Sequence, residues 1–316
     1  MKKLIILLIS FLAIACNPQA KITSPALIYS SIISGRDVLA KDPIASSVVA
    51  IYNTKSHNLC TATLIANNIV LTAAHCAPSK ASDVKIIFSL DIDKVLNAKE
   101  QSPLKELILT ATDFKVSPNW DPNNETVQFD TGDIALIKFS GSLPKGYLPA
   151  KFLENTGDLK IGASVTVAGF GVNFVDMEEI DPKKYRNLDG EIESGEVACS
   201  GKGRGNYGSC FKIDKSGDGL LRTTSAPISF IHETEIRLNE KKAGTCNGDS
   251  GGPAFIQKAG TLYLFGVTSR GSELCNEDGV YTNALFYKSW IETTTKIWFQ
   301  ETFGEARSYN PAKRIL

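Results

Sequence analysis

Ser47 to Cys76 reads SVVAIYNTKSHNLCTATLIANNIVLTAAHC. It contains three short apolar runs, Ser47 to Asn53, Cys60 to Ile65 and Ile69 to Ala74, rich in β-branched residues and separated by polar ones. Asn67-Asn68 reads as a hairpin turn between the second and third. The same texture recurs in Val84 to Leu90, Leu104 to Thr110, Ile134 to Phe139, Ser164 to Gly169, Ile228 to Leu238, Leu262 to Ser269 and Val280 to Asn283. Strand-length runs without helical patterns between them predict an all-β barrel or sandwich. Only Leu285 to Phe303 predicts a helix. There Phe286, Tyr287, Trp290, Ile291, Ile297, Trp298 and Phe299 partly follow a 3.6-residue period, with Gly304 as the stop and 304 to 316 as a frayed tail.

The opening stretch ends on His75, held just after a strand. Cys60 lies across the proposed hairpin from Cys76, so a disulfide between them would pin the loop that carries the histidine. Gly132-Asp133-Ile134-Ala135-Leu136-Ile137 places an acid at the mouth of an apolar strand, where partial burial suits a carboxylate accepting a hydrogen bond from an imidazole. Asp130 is a rival without that strand directly after it. Gly248-Asp249-Ser250-Gly251-Gly252-Pro253 flanks one serine with glycines, which lets the backbone turn sharply and expose the hydroxyl. Singly, these are a packed histidine, a turn acid and a glycine loop. In the chain order His, Asp, Ser they match one of the known orders of a catalytic triad.

With TAAHC, GDIAL and GDSGGP all present, the sequence resembles the trypsin/chymotrypsin family of serine proteases over nearly all of residues 32 to 303. The resemblance implies two six-stranded antiparallel β-barrels, split near 145 to 160, with a cleft between them and a C-terminal helix. It implies Ser250 as nucleophile, His75 as general base and acid, Asp133 as its orienting carboxylate, and the N–H groups of Gly248 and Ser250 as the oxyanion hole. Ile32-Ile33-Ser34-Gly35 resembles the family's mature N-terminus. The family's activation would then be cleavage before Ile32, with the new ammonium pairing with Asp249. Gly244, Ser269-Arg270-Gly271 and Gly279 stand where the family builds its specificity pocket. With two glycines and no acid at the floor, an apolar or aromatic side chain is expected there. Cys246 and Cys275 match the family's disulfide that braces this pocket.

The chain has 316 residues, 43% of them hydrophobic and 22% charged, with 34 basic and 34 acidic side chains. At about 150 residues per domain this suggests two domains or one large one. The ordinary apolar fraction excludes global disorder, and the absence of a basic stripe argues against nucleic acid. Lys2 and Lys3 before the apolar run Leu4 to Ala15 form an export signal, too short to span a membrane. It ends in Leu12-Ala13-Ile14-Ala15-Cys16, which resembles the lipobox of bacterial lipoproteins. That implies a lipid on Cys16 and an exported bacterial protein, outer-membrane anchored, periplasmic or at the cell surface, and released by cleavage before Ile32. Residues 17 to 31 read as a linker or pro-segment.

Setting Cys16 aside leaves six of the seven cysteines, so Cys199 and Cys210 pair by elimination. The region from Val172 to Ala243 is longer than the family usually has and predicts an extra surface loop. Within it, Asp214-Lys215-Ser216-Gly217-Asp218-Gly219 partly matches a calcium loop, but its twelfth position is Ser225 rather than glutamate, so a simple turn is expected. Histidine and cysteine spacings give no case for a metal, and no cofactor is expected. The reading is a monomeric serine endopeptidase acting on protein or peptide. The alternatives are a protease-fold protein that binds without catalysis, and an esterase using the same triad.

Overall fold

The computed structural model describes Ile32 and residues 35–121, 131–201, 207–272 and 274–308. Cys16, the 17 to 31 segment, Asp130 and the tail beyond 308 lie outside them. After a short strand β1 (Arg36–Asp37), strands β2 (Val48–Asn53), β3 (Leu59–Ala66), β4 (Ile69–Thr72), β5 (Val84–Ile87), β6 (Ile108–Val116) and β7 (Ala135–Ser140) close into an antiparallel barrel, in the order β2-β3-β4-β7-β6-β5. A second antiparallel barrel is built from β9 (Ser164–Gly169), β13 (Arg222–Ile231), β14 (Glu235–Asn239), β15 (Pro253–Lys258), β16 (Thr261–Arg270) and β17 (Asp278–Asn283), closed by the pairing of β9 with β13. A short strand β8 (Lys151–Phe152) runs parallel to β16.

Side-chain alternation explains why the apolar runs are nearly continuous. In β2, Val49 and Ile51 fill the first barrel, while Val48 and Ala50 point the other way, into a layer shared with the second. In β15, Ala254 and Ile256 fill the second barrel and Phe255 joins the shared layer. Strands buried on both faces need apolar residues at successive positions. The cleft therefore lies along a seam that is itself a hydrophobic core. Helix α3 (Lys288–Ser308) closes the seam from behind. It buries Ile291 and Trp298 in the shared layer, and Trp298 donates Nε1–H to Asp113 of β6 at 2.8 Å.

Several boundaries differ from the sequence expectation. Pro103 opens a 3-10 turn, Pro103–Leu107, so β6 starts only at Ile108. The run from Ile228 to Leu238 is a hairpin of β13 and β14 rather than one strand. Helix α3 runs through Gly304, because one interior glycine costs only about 1 kcal/mol. The largest difference is the long region before the serine loop. It is no simple loop but a three-stranded antiparallel sheet of β10 (Phe174–Ile180), β11 (Val197–Gly201) and β12 (Tyr207–Ser216), with a short helix α2 (Leu188–Glu193). Cys199 and Cys210 face each other in its register and are disulfide-bonded. A further short helix, α1 (Ile92–Leu96), follows β5 and is capped by Asp91.

Trp298 ties the helix to the first barrel across the whole chain. Trp298→Ala is expected to lower unfolding free energy by about 3–5 kcal/mol, and Trp298→Phe, which keeps most of the bulk but not the N–H, by about 1 kcal/mol. Urea titration of the two variants checks this order.

Candidate active site

His75 sits on a 3-10 turn, Ala74–Cys76, immediately after β4, and the disulfide from Cys76 to Cys60 of β3 fixes that turn to the barrel wall. Asp133 precedes β7, which pairs with β4, so the two side chains meet where neighbouring strands meet the cleft. The imidazole Nδ1 lies 2.9 Å from Asp133 Oδ2, and the His75 backbone N–H donates to Oδ1 at 3.0 Å. Ser269, at the end of β16, donates its hydroxyl to Oδ2 at 2.7 Å. Asp133 is only 3% exposed. Burial by itself would raise its carboxyl, but the hydrogen bond and charge of His75, helped by Ser269, outweigh it and hold Asp133 below its usual range. Burial likewise opposes a charge on His75, yet the bond to Asp133 outweighs it and raises the imidazole. With Nδ1 committed to Asp133, Nε2 is the nitrogen free for proton transfer.

Ser250 lies in a loop strapped to both barrels. The first barrel takes its carbonyls: Thr61 of β3 donates its N–H to Ser250 C=O at 2.8 Å and its hydroxyl to Gly248 C=O at 2.9 Å. The second barrel takes Gly251 N–H, through Thr268 C=O at 2.8 Å. The N–H groups of Gly248 and Ser250 have no acceptor among the described residues. Gly251 must be glycine, since its φ is +82° and a Cβ would come within 2.0 Å of Thr72 Oγ1. Asp249 points the other way and is fully buried. It accepts the N–H of Gly171 at 2.7 Å and of Cys246 at 2.9 Å, and burial pushes its carboxyl up to about 7. In this continuous chain Ile32 is buried in the core of the second barrel, so Asp249 is held by backbone N–H groups rather than by an ammonium.

Two hollows meet at Ser250. One, of about 200 Å³, is lined by Thr245, Asn247, Thr268, Ser269, Arg270 and Gly271 and braced by the Cys246–Cys275 disulfide. The other, of about 610 Å³, runs past His75 and the Cys60–Cys76 disulfide. The expected opening at Gly244 and Gly279 is not there. Glu240, 2% exposed, fills it: a Cβ on Gly244 would lie 2.2 Å from Glu240 Cβ, and one on Gly279 would lie 2.3 Å from its Oε2. Its carboxylate accepts the Thr245 N–H at 3.1 Å, the Thr245 hydroxyl at 2.9 Å and the Tyr281 hydroxyl. Glu240 does not itself line the pocket but sits behind Thr245, which does, and no aspartate or glutamate is among the described lining residues. Nothing in the local sequence marks Glu240, because Gly244, Gly279 and Tyr281 reach it from separate strands and loops. Arg270, at the pocket wall, is drawn back onto buried Glu235, with Nη1 and Nη2 at 2.9 and 2.8 Å from its carboxylate oxygens.

Cys60, Cys76 and His75 lie close enough to hold a metal ion, but both sulfurs are in the disulfide and have no lone thiolate to offer.

The sequence profile described as Trypsin matches residues 37–291. The chain belongs to the trypsin family. Curated relatives in that family include the CLIP domain-containing serine protease B14 of Anopheles gambiae, 26% identical over 76% of this chain and 65% of its own length. Others are the transmembrane protease serine 11C of Mus musculus, 26% identical over 75% and 48%, and the snake venom serine protease 1 of Craspedocephalus gramineus, 28% identical over 78% and 81%. The chain thus spans about half to two thirds of the mouse and mosquito proteins. Among solved structures, mouse neuropsin, a serine protease, superposes with a TM-score of 0.54 at 20% identity, over 83% of this chain and 99% of its own. That likeness bears out the expected fold of two six-stranded antiparallel barrels of chymotrypsin type.

Glu240 ionises in the folded protein only near pH 7, against an ordinary 4.5. A carboxyl raised in this way contributes stability that is full below 4.5 and is lost as pH rises through about 7. Glu240→Gln is therefore expected to flatten the fall in melting temperature between pH 4.5 and 7, read by calorimetry.

Proposed function

We propose that the chain is a serine endopeptidase that cuts peptide bonds through an acyl-enzyme on Ser250. The observation that carries this reading is an oriented base beside two unpaired donors: Asp133 fixes His75 through two bonds, while the Gly248 and Ser250 N–H groups have no acceptor among the described residues. Nε2 of His75 takes the Ser250 proton as the hydroxyl attacks the scissile carbonyl, and the resulting oxyanion accepts the two free N–H groups. The imidazolium then protonates the leaving amine. A water molecule, activated by the same nitrogen, releases the acid product. Removing one oxyanion donor of this kind typically costs ~10²–10³ in kcat.

The chain is further proposed to be made as a precursor cut before Ile32. The support is Asp249, whose carboxyl burial pushes up to about 7 although two backbone N–H groups and the charge of Arg222 favour its ionised form. An ammonium brought into direct contact would favour that form further and stiffen the loop that holds Gly248. Export through the first 16 residues fits three disulfides in the folded part, since such bonds persist in oxidising compartments. The relatives named above are animal and venom proteins and lend the bacterial lipoprotein form of that signal no support. N-terminal sequencing and mass of the mature protein test both proposals: a start at Ile32 supports the precursor, and a diacylglycerol mass on Cys16 supports the lipid.

Purified, processed protein should cleave a mixed peptide library and lose at least ~10³-fold of kcat/KM in both Ser250→Ala and His75→Ala. Folded wild type without cleavage would favour a binding protein, and cleavage of esters alone would favour an esterase. The acid limb of kcat/KM should lie above the ordinary imidazole value of 6.5, because His75 must be neutral to act and Asp133 raises it. Asp133→Asn removes that charge, so the limb should move to lower pH as the rate falls.

A further inference from the structure

We propose that the enzyme selects substrates on the leaving-group side of the scissile bond through Asp218, and that the favoured side chain there is lysine or arginine. The inference rests on the peptidase reading above and adds a substrate class to it. Sidedness follows from His75. The imidazolium protonates the departing amine, so the amine side of the substrate lies in the groove of about 610 Å³ that His75 lines. The smaller pocket, which His75 does not line, is left for the acyl side. Among the described residues lining the larger groove, Asp218 is the one aspartate, glutamate, lysine or arginine.

The turn that presents Asp218 is built for the purpose. Gly217 and Gly219 on either side have φ of +80° and +94°, a left-handed backbone that other residues rarely adopt. Both are anchored. Gly217 C=O accepts from Arg222 Nη1 at 2.6 Å, and Arg222 is itself buried and bound to Asp37 through Nε at 3.0 Å. Gly219 donates its N–H to Phe170 C=O at 2.8 Å and accepts the N–H of Ile92 at 2.9 Å. The turn is thus pinned to β13, to the segment after β9 and to α1, yet the Asp218 side chain takes no part in holding it. Asp218 is exposed and has no hydrogen-bond or ion-pair partner among the described residues. A fixed carboxylate without a partner, in a groove beside a nucleophile, is a receptor for a substrate cation.

Neighbouring charges leave this role open. Asp214, the other acid of the calcium-like stretch, lies within β12 and is paired with Lys212 at 3.4 Å. Lys215 donates its ammonium to Asn247 Oδ1, at the groove's edge, at 2.9 Å. The whole device comes from the end of the additional three-stranded sheet, so the sheet's return strand carries a substrate determinant to the cleft.

An exposed ion pair contributes modestly and is weakened by salt. Internally quenched peptides identical on the acyl side, with Lys, Gln or Glu at both of the first two positions after the scissile bond, measure it in the full-length processed enzyme. The expected order of kcat/KM is Lys over Gln by about two- to five-fold and Lys over Glu by about ten-fold at low salt, shrinking at high salt. In Asp218→Asn the Lys-to-Glu ratio should fall to about one, and in Asp218→Lys it should invert. Asp214→Asn, outside the groove, should keep the wild-type ratio. The ratio is internal to each variant, so a smaller folded fraction does not alter it. A wild-type ratio near one, or one that survives Asp218→Asn, overturns the proposal. Wild type that cleaves none of the peptides overturns the peptidase reading and this inference with it.

Discussion

Asp133 is a carboxylate in a place where burial should neutralise it, and it stays ionised because donors arrive from both barrels. The first barrel supplies two, the backbone N–H and the ring nitrogen of His75, and the second supplies the hydroxyl of Ser269. A partly satisfied buried charge is among the costliest defects a fold can carry, so this bond set fixes more than a histidine rotamer. It fixes the relative position of the strand ends that frame the cleft. Thr282 of β17 donates to the Asp133 carbonyl as well, at 2.8 Å, so the backbone of the residue is held from the second barrel too.

The serine loop obeys a complementary constraint. Thr61, a residue of the first barrel, collects two carbonyls of a loop that belongs to the second. Its hydroxyl in turn accepts Phe170 N–H at 3.1 Å. In a trans peptide the C=O and N–H point in opposite directions. Drawing the Asn247 carbonyl toward Val172 N–H at 2.9 Å, and the Asp249 carbonyl toward Gly252 N–H at 2.9 Å, turns the N–H groups of Gly248 and Ser250, across the same two peptides, the other way, where they have no acceptor among the described residues. The proposed oxyanion site is therefore a by-product of how the loop is turned and anchored.

Residues near in sequence formed recognisable motifs, and residues that meet only after folding did not. The β-runs of the two barrels were legible because strands covered on both faces must be apolar throughout, as in VVAI of β2 and IVLT of β4. The additional sheet was not, because β10 and β12 (FVDMEEI and YGSCFKIDKS) are largely solvated and cover two small apolar clusters, one of Val172, Val175 and Ile213 against the Cys246–Cys275 disulfide and one of Leu188, Val197 and Cys210. His75, Asp133 and Ser250 could be read from short motifs whose neighbours shape the local backbone. Glu240 could not, since the space it fills is defined by glycines from two other segments. Gly244 and Gly279 looked like an open pocket precursor in the sequence, and in the fold they are the room made for one acid.

Covalent chemistry at Ser250 is the center of this account, and trapping the intermediate tests it most directly. Processed enzyme mixed with a p-nitrophenyl ester and quenched in acid should gain the mass of one acyl group, and peptide mapping should place it on the fragment that contains Ser250. An unmodified protein, or an acyl group found only on another residue, would contradict it.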